Sequence, residues 1–172
     1  MVPMISRPSP SGVAGRGKDA GDLNGDGKLD FVYGECCTGT VNAFYGLGNG
    51  SFLPAQFLFN APAGGDDTYG IAVADFDNDG LLDIIAGGDF DGAFNLFTGI
   101  GAGQFVDKGI VIDTNNHGSI DNLDFDLDGD QDLIVTTWSS LDIRLFRNNG
   151  NSTFSFVQTT GITTGNVLGI AV

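Results

Sequence analysis

Apolar residues along this chain come in short runs rich in β-branched and aromatic types, separated by Gly, Asn and Asp. The middle of the sequence shows the pattern well, with Ile71-Ala72-Val73-Ala74, Asp83-Ile84-Ile85-Ala86, Phe94-Asn95-Leu96-Phe97 and Gln104-Phe105-Val106. Such runs predict strands, four to a unit. A later stretch follows the same plan with Leu133-Ile134-Val135-Thr136-Thr137-Trp138, Asp142-Ile143-Arg144-Leu145-Phe146 and Phe154-Ser155-Phe156-Val157. Glycine is the most abundant residue at 28 positions, beside 14 Phe, which fits short strands and tight turns and makes helix the minority expectation.

The strands keep a common phase. An acidic loop begins at Asp22, Asp75 and Asp124, giving periods of 53 and 49 residues. From the last Asp of each loop to a later phenylalanine the distance is 22 residues every time: Asp30 to Phe52, Asp83 to Phe105, Asp132 to Phe154. Before that phenylalanine stand Leu47-Gly48-Asn49-Gly50-Ser51, Ile100-Gly101-Ala102-Gly103-Gln104 and Asn148-Asn149-Gly150-Asn151-Ser152-Thr153, which read as hairpin turns. The difference between the periods falls in the connection from Asn60 to Thr68, which holds Pro62, Gly64 and Gly65. Four antiparallel strands every ~50 residues is the pattern of a β-propeller blade.

The expected division is an extended lead-in over 1–16, with Pro3, Pro8 and Pro10, then blades over 17–68, 69–117 and 118–166. Residues 167–172 are expected to be the first strand of a further blade, because Gly169-Ile170-Ala171-Val172 repeats Gly70-Ile71-Ala72-Val73. Closed propellers have about 4 to 8 blades. The expectation is therefore an all-β chain cut from a longer array, or one that associates to cover its edges.

The loops carry the chemistry. They run Asp22-Leu23-Asn24-Gly25-Asp26-Gly27-Lys28-Leu29-Asp30, Asp75-Phe76-Asp77-Asn78-Asp79-Gly80-Leu81-Leu82-Asp83 and Asp124-Phe125-Asp126-Leu127-Asp128-Gly129-Asp130-Gln131-Asp132. Each places an oxygen side chain at positions 1, 3, 5 and 9 and a glycine at position 6. Oxygen donors this crowded repel one another unless a cation sits among them, and hard divalent ions prefer such ligands. Three Ca²⁺ sites are expected: Asp22, Asn24, Asp26 and Asp30 with the Lys28 carbonyl; Asp75, Asp77, Asp79 and Asp83 with the Leu81 carbonyl; Asp124, Asp126, Asp128 and Asp132 with the Asp130 carbonyl. Magnesium, with its water-retaining octahedral shell, suits fewer protein ligands. Asn24 leaves the first site one formal charge short of the others.

Charge follows the loops. The 22 acidic residues include one Glu, Glu35, so 21 are Asp, and 11 of these sit at the loop positions. The formal net charge of -15 excludes nucleic acid and anionic membranes as natural partners. Three Ca²⁺ add six positive charges and would bring -15 to -9. An EF-hand is excluded, since the residues at position 12 are Tyr33, Ala86 and Val135 rather than a bidentate Glu, and the flanks favour strands over helices.

The Asp-x-(Asp/Asn)-x-Asp-Gly-x-x-Asp loops, the Asn/Gly-rich turn and its Phe resemble FG-GAP repeats of the VCBS type, similar to the calcium-bearing blades of integrin α-subunit propellers. The resemblance covers residues 17–172 and implies calcium in the loops. Proteins with such repeats are frequently secreted or surface-attached, and serve in adhesion, in sugar binding or as modules appended to enzymes. The first blade departs from the pattern at Arg16-Gly17-Lys18-Asp19-Ala20-Gly21, where Lys18 and Asp19 replace the apolar pair Ile71-Ala72, so an irregular inner strand is expected there.

Other chemistry is sparse. The lone histidine, His117, lies in a polar loop and reads as a surface residue rather than part of a Ser/His/Asp set. Glu35 with Asp89 or Asp113 could supply a carboxylate pair for glycoside chemistry, but sequence spacing does not place them at the ~5 to 9.5 Å separation it needs. Cys36 and Cys37 are adjacent, which excludes a disulfide framework and reads as two small hydrophobes in a strand. Trp138, Tyr45, Tyr69 and Arg144 are of types found at binding hot spots, and more often pack between blades. No apolar run is long enough for a membrane span, and the first residues lack the apolar core of a signal peptide.

The expected function is a non-enzymatic, calcium-stabilised extracellular or cell-surface recognition module for adhesion, with a glycan or protein ligand. The alternatives are an accessory part of a larger secreted hydrolase or lyase and a purely structural scaffold.

Overall fold

The computed structural model describes residues 15–36, 38–60, 67–87, 92–114, 118–137, 140 and 142–161, and every element among them is a strand. The first sheet holds β1 (Gly15–Gly21), β2 (Asp30–Glu35), β3 (Thr40–Phe44) and β4 (Gln56–Asn60). The second holds β5 (Gly70–Ala74), β6 (Asp83–Gly87), β7 (Ala93–Gly99) and β8 (Phe105–Asp113). The third holds β9 (Ile120–Leu123), β10 (Asp132–Thr137), β11 (Asp142–Asn148) and β12 (Phe154–Gly161). Each sheet is antiparallel with its strands in sequence order, so the chain forms three blade-like sheets of four strands. Nearly all of the lead-in, the centre of the Asn60 to Thr68 connection and the strand expected over 167–172 lie outside the described residues.

Local chemistry explains the joints. In all three blades one amide closes the turn between the third and fourth strands: Leu47 to Ser51, Ile100 to Gln104 and Asn149 to Thr153, each at 2.9 Å. The phenylalanine after the turn opens the fourth strand in β8 and β12. In the first blade Phe52 makes only an isolated bridge to Gly46, and β4 starts later, at Gln56. Pro54 lies between them, and a residue without an N–H cannot join the ladder.

The three sheets stack through their inner strands, β1 beside β5 and β5 beside β9. Glycine permits this approach. A Cβ on Gly70 would lie 2.8 Å from the Ile120 nitrogen, and one on Gly17 would lie 2.9 Å from the Gly70 carbonyl carbon. The irregular inner strand expected in the first blade is β1, whose register against β2 shifts between Gly15 and Lys18. Asp19, which replaces an apolar residue there, accepts the Val73 N–H of β5 at 2.7 Å. Burial pushes the Asp19 carboxyl up, while that amide and the one on Ala20 pull it down.

Two cores result. Val32, Val41 and Ala43 of the first blade meet Ile71, Ile84 and Phe97 of the second, where Phe59 also stacks on Phe97 at 3.6 Å. Ile85, Phe94 and Leu96 meet Ile120, Leu133 and Val135 of the third blade. The middle blade is covered on both faces, so β5, β6 and β7 are buried throughout. That accounts for the unbroken apolar run Ile84-Ile85-Ala86, where a half-covered strand alternates as β2 does.

Candidate metal centre

Each acidic loop joins the first and second strands of its blade, so the three lie at equivalent positions of the three sheets. The position 1 carboxylate folds the loop around itself. Asp22 Oδ1 accepts the Gly25 and Asp26 amides at 2.9 and 3.0 Å, and its Oδ2 accepts Gly27 at 2.8 Å. Asp75 takes Asp79 and Gly80 at 3.1 and 2.8 Å, and Asp124 takes Asp128 and Gly129, both at 3.1 Å. Position 5 accepts the position 7 amide in every loop, Asp26 from Lys28, Asp79 from Leu81 and Asp128 from Asp130.

The backbone turns left-handed twice. Position 6 does so at Gly27, Gly80 and Gly129, with φ of 78°, 88° and 98°. Position 4 does so as well, at Gly25, Asn78 and Leu127, with φ of 75°, 61° and 62°. Gly and Asn tolerate that region; Leu does not, because its Cβ crowds the following carbonyl at about 1–2 kcal/mol. Leu127 is also 85% exposed, so little packing compensates. Leu127→Asn is expected to stabilise the protein by about 1 kcal/mol, read as a higher urea midpoint at unchanged slope.

Position 9 has a second role that the sequence did not disclose. Asp30, Asp83 and Asp132 are fully buried. One oxygen of each accepts the position 2 amide, from Leu23, Phe76 and Phe125 at 3.0, 2.9 and 3.1 Å. The other accepts an amide 16 residues on, from Gly46, Gly99 and Asn148 at 2.8, 2.9 and 2.8 Å. A single carboxylate thus ties the loop, the second strand and the end of the third strand together. Burial pushes Asp83 up to about 6, the Gly99 and Phe76 amides pulling down and Asp77 and Asp79 pushing further up. Asp132 is raised by the same causes, burial first.

The donor set fits a divalent cation. Carboxylate oxygens of Asp75, Asp77 and Asp83 lie within 4.8 Å of one another, and so do those of Asp124, Asp126 and Asp128. Oxygens on opposite sides of a calcium ion are about 4.8 Å apart, twice the usual Ca–O distance, so one ion can touch all three. Oxygens that accept one or two amides keep lone-pair directions for a metal. Asp79 and Asp132 belong to the same loops, but no such triad includes them. The first loop differs. Asn24 is neutral, and Lys28 Nζ lies 2.9 Å from Asp26 Oδ2, holding the Asp26 carboxyl below its usual range. The side chain of Asp130 turns to the neighbouring loop, accepting Asn78 Nδ2 at 2.7 Å and linking the second and third loops.

The family model described as an FG-GAP-like repeat matches residues 22–86 and 124–172, well over half of the chain, and its two matches begin at position 1 of the first and third loops. The chain belongs to the FG-GAP-like repeat family. FG-GAP-like repeats form β-propeller-type modules, are typical of extracellular proteins and are typically non-enzymatic. No curated protein gives a significant match. Among the described residues no helix is long and apolar enough to cross a membrane, which says nothing of strands.

Several of the remaining candidates, among the described residues, make structural contacts within these FG-GAP-like blades. The Glu35 carboxylate receives hydroxyls from Tyr33, Thr38 and Thr40 at 3.3, 3.3 and 2.9 Å. Glu35 ends β2 in the first blade and Asp113 ends β8 in the second, on separate sheets. Tyr45 is buried between blades and donates to the Gly103 carbonyl at 3.2 Å. Arg144 donates from the third blade to the Thr114 carbonyl at 3.0 Å, and the Tyr69 amide bonds the Gly87 carbonyl at 3.0 Å. Cys36 is buried and free. Cys37, Asp89, His117 and Trp138 lie outside the described residues.

Proposed function

We propose that the loops hold three calcium ions and that the chain is a calcium-stabilised extracellular recognition module, non-enzymatic, with a glycan or protein ligand. The observation that carries the metal reading is the pair of carboxylate triads whose oxygens lie within 4.8 Å of one another, close enough to share one cation, in loops that recur in phase with the strands. Positions 1, 3, 5 and 9 and the position 7 carbonyl would hold the ion. Bound calcium supplies charge neutralisation.

This chain's residues do the rest. Because the position 9 carboxylate also grips the end of the third strand, order in the loop is passed to the sheet through Gly46, Gly99 and Asn148. Millimolar extracellular calcium fills even weak sites of this kind, which favours a location outside the cell. Lys28 and Asn24 make the first site the weakest of the three.

Calcium titration of the demetallated protein by calorimetry tests this, with three sites expected and the first filling last. Asp79→Ala is expected to weaken the second site alone. Absence of bound calcium at millimolar concentration sinks the metal reading. Glycan and protein arrays probed with and without chelator test recognition, with calcium-dependent binding and no turnover expected.

A further inference from the structure

The end of the third strand differs among the blades at one buried position. The amide that the position 9 carboxylate grips there belongs to Gly46, Gly99 and Asn148. The first two blades leave no room for a side chain, since a Cβ on Gly46 would collide with the Leu29 carbonyl oxygen and one on Gly99 with that of Leu82. The third blade carries a polar side chain at this point, and Asn148 is only 1% exposed.

A buried amide side chain must find partners, and those of Asn148 lie in two different loops. Its Nδ2 donates to the Phe76 carbonyl at 2.8 Å and to the Gln131 carbonyl at 3.2 Å, while its Oδ1 accepts the Gly150 amide at 3.1 Å. The Phe76 contact crosses from the third blade to the second. Phe76 is position 2 of the second loop, between Asp75 and Asp77, and its own N–H is held by Asp83. Those three carboxylates are the second triad. Gln131 is position 8 of the third loop, next to Asp132, which takes the Asn148 amide. One side chain therefore fixes a peptide unit in each of two loops. The counterpart of Asn148 beside the first loop is Gly99, which has no side chain with which to do the same.

We propose that Asn148 is a positioning residue for two metal sites at once, bracing the second and third loops against one another while the first loop has no such brace. The proposal rests on the calcium reading of those loops. It concerns order that does not depend on the ion. A brace already made in the metal-free fold leaves less loop order to be imposed when the ion binds, and the saving appears as affinity.

Asn148→Gly tests the brace, because it puts the residue of the first two blades into the third and keeps the amide that Asp132 holds. The Phe76 carbonyl is not stranded, since the Ser152 amide also reaches it at 3.1 Å. Amide resonances of Gly27, Gly80 and Gly129, followed while calcium is added to the full chain, report the three sites separately. In the variant the Gly80 and Gly129 midpoints are expected to move to about 10-fold higher calcium, with Gly27 unchanged. A shift at Gly129 alone makes Asn148 a local part of its own blade and overturns the proposal, as does an equal shift, or none, at all three. A second measurement needs no metal. In chelator, hydrogen exchange at Asp79 and Gly80, whose amides Asp75 holds, is expected to be about 10-fold faster in the variant. Faster exchange in a protein that takes up no calcium would mark failure of the metal reading, whereas calcium uptake with unchanged exchange and midpoints would mark failure of the brace. Near-ultraviolet dichroism checks that the variant is folded, and Asn148→Ala, which adds less backbone freedom, replaces it where it is not.

Discussion

Adding calcium to the chelated protein raises its thermal midpoint by roughly 15–30 °C, an expectation built from simple linkage. A ligand at one hundred times its dissociation constant stabilises the state it binds by about 2.7 kcal/mol per site, so three sites contribute about 8 kcal/mol. Each kcal/mol moves the midpoint of a chain this size by about 2–4 °C. The loops have the means to respond. Among the described residues the Asp75/Asp77/Asp83 and Asp124/Asp126/Asp128 triads contain no salt-bridged cation, and only the first loop has one, Lys28. Calorimetric scans with calcium and with chelator measure the shift. Equal midpoints would remove the structural role assigned to the ion.

The parts of this molecule that are local in sequence were legible, and the parts carried by distant backbone were not. The place of each loop between two strands follows from the sequence because a nine-residue turn with a required glycine is written in adjacent letters. The second left-handed position could have been read from Gly25 and Asn78, but Leu127 at the third copy obscured it. The late start of β4 was available in Pro54. The grip of Asp30, Asp83 and Asp132 on amides 16 residues away was not, because Gly46, Gly99 and Asn148 contribute an N–H that any residue other than proline supplies. For the same reason Asp19 looked like a defect in an inner strand until its partner, the Val73 amide on the next blade, was placed.

In the chelated protein, Asp83 is expected to make stability rise on acidification, opposite to what a salt-bridged carboxylate does. Its folded pKa is raised to about 6 from an ordinary 3.8, chiefly by burial. The proton is therefore bound more tightly in the folded state, and the cost of burying the charge is fully present above about pH 6. That cost disappears as the pH falls through the interval between the two values. A difference of about 2 units corresponds to about 3 kcal/mol at most. Asp132, raised for the same reason, adds to the trend in the same direction. With calcium bound the sign reverses, because protons then compete with the ion for the same oxygens. The single group is isolated by comparing wild type with Asp83→Asn in urea, in chelator, between about pH 7.5 and 4.5. The amide does not titrate, and it must turn one N–H donor toward a Phe76 or Gly99 donor, so the variant is less stable at low pH. The stability of wild type relative to the variant is expected to grow by about 2 kcal/mol as the pH falls across that window. A constant difference would mean that Asp83 carries no raised pKa in the metal-free fold. In calcium the same comparison should run the other way, with the wild-type advantage largest at neutral pH and shrinking as the second site loses its ion.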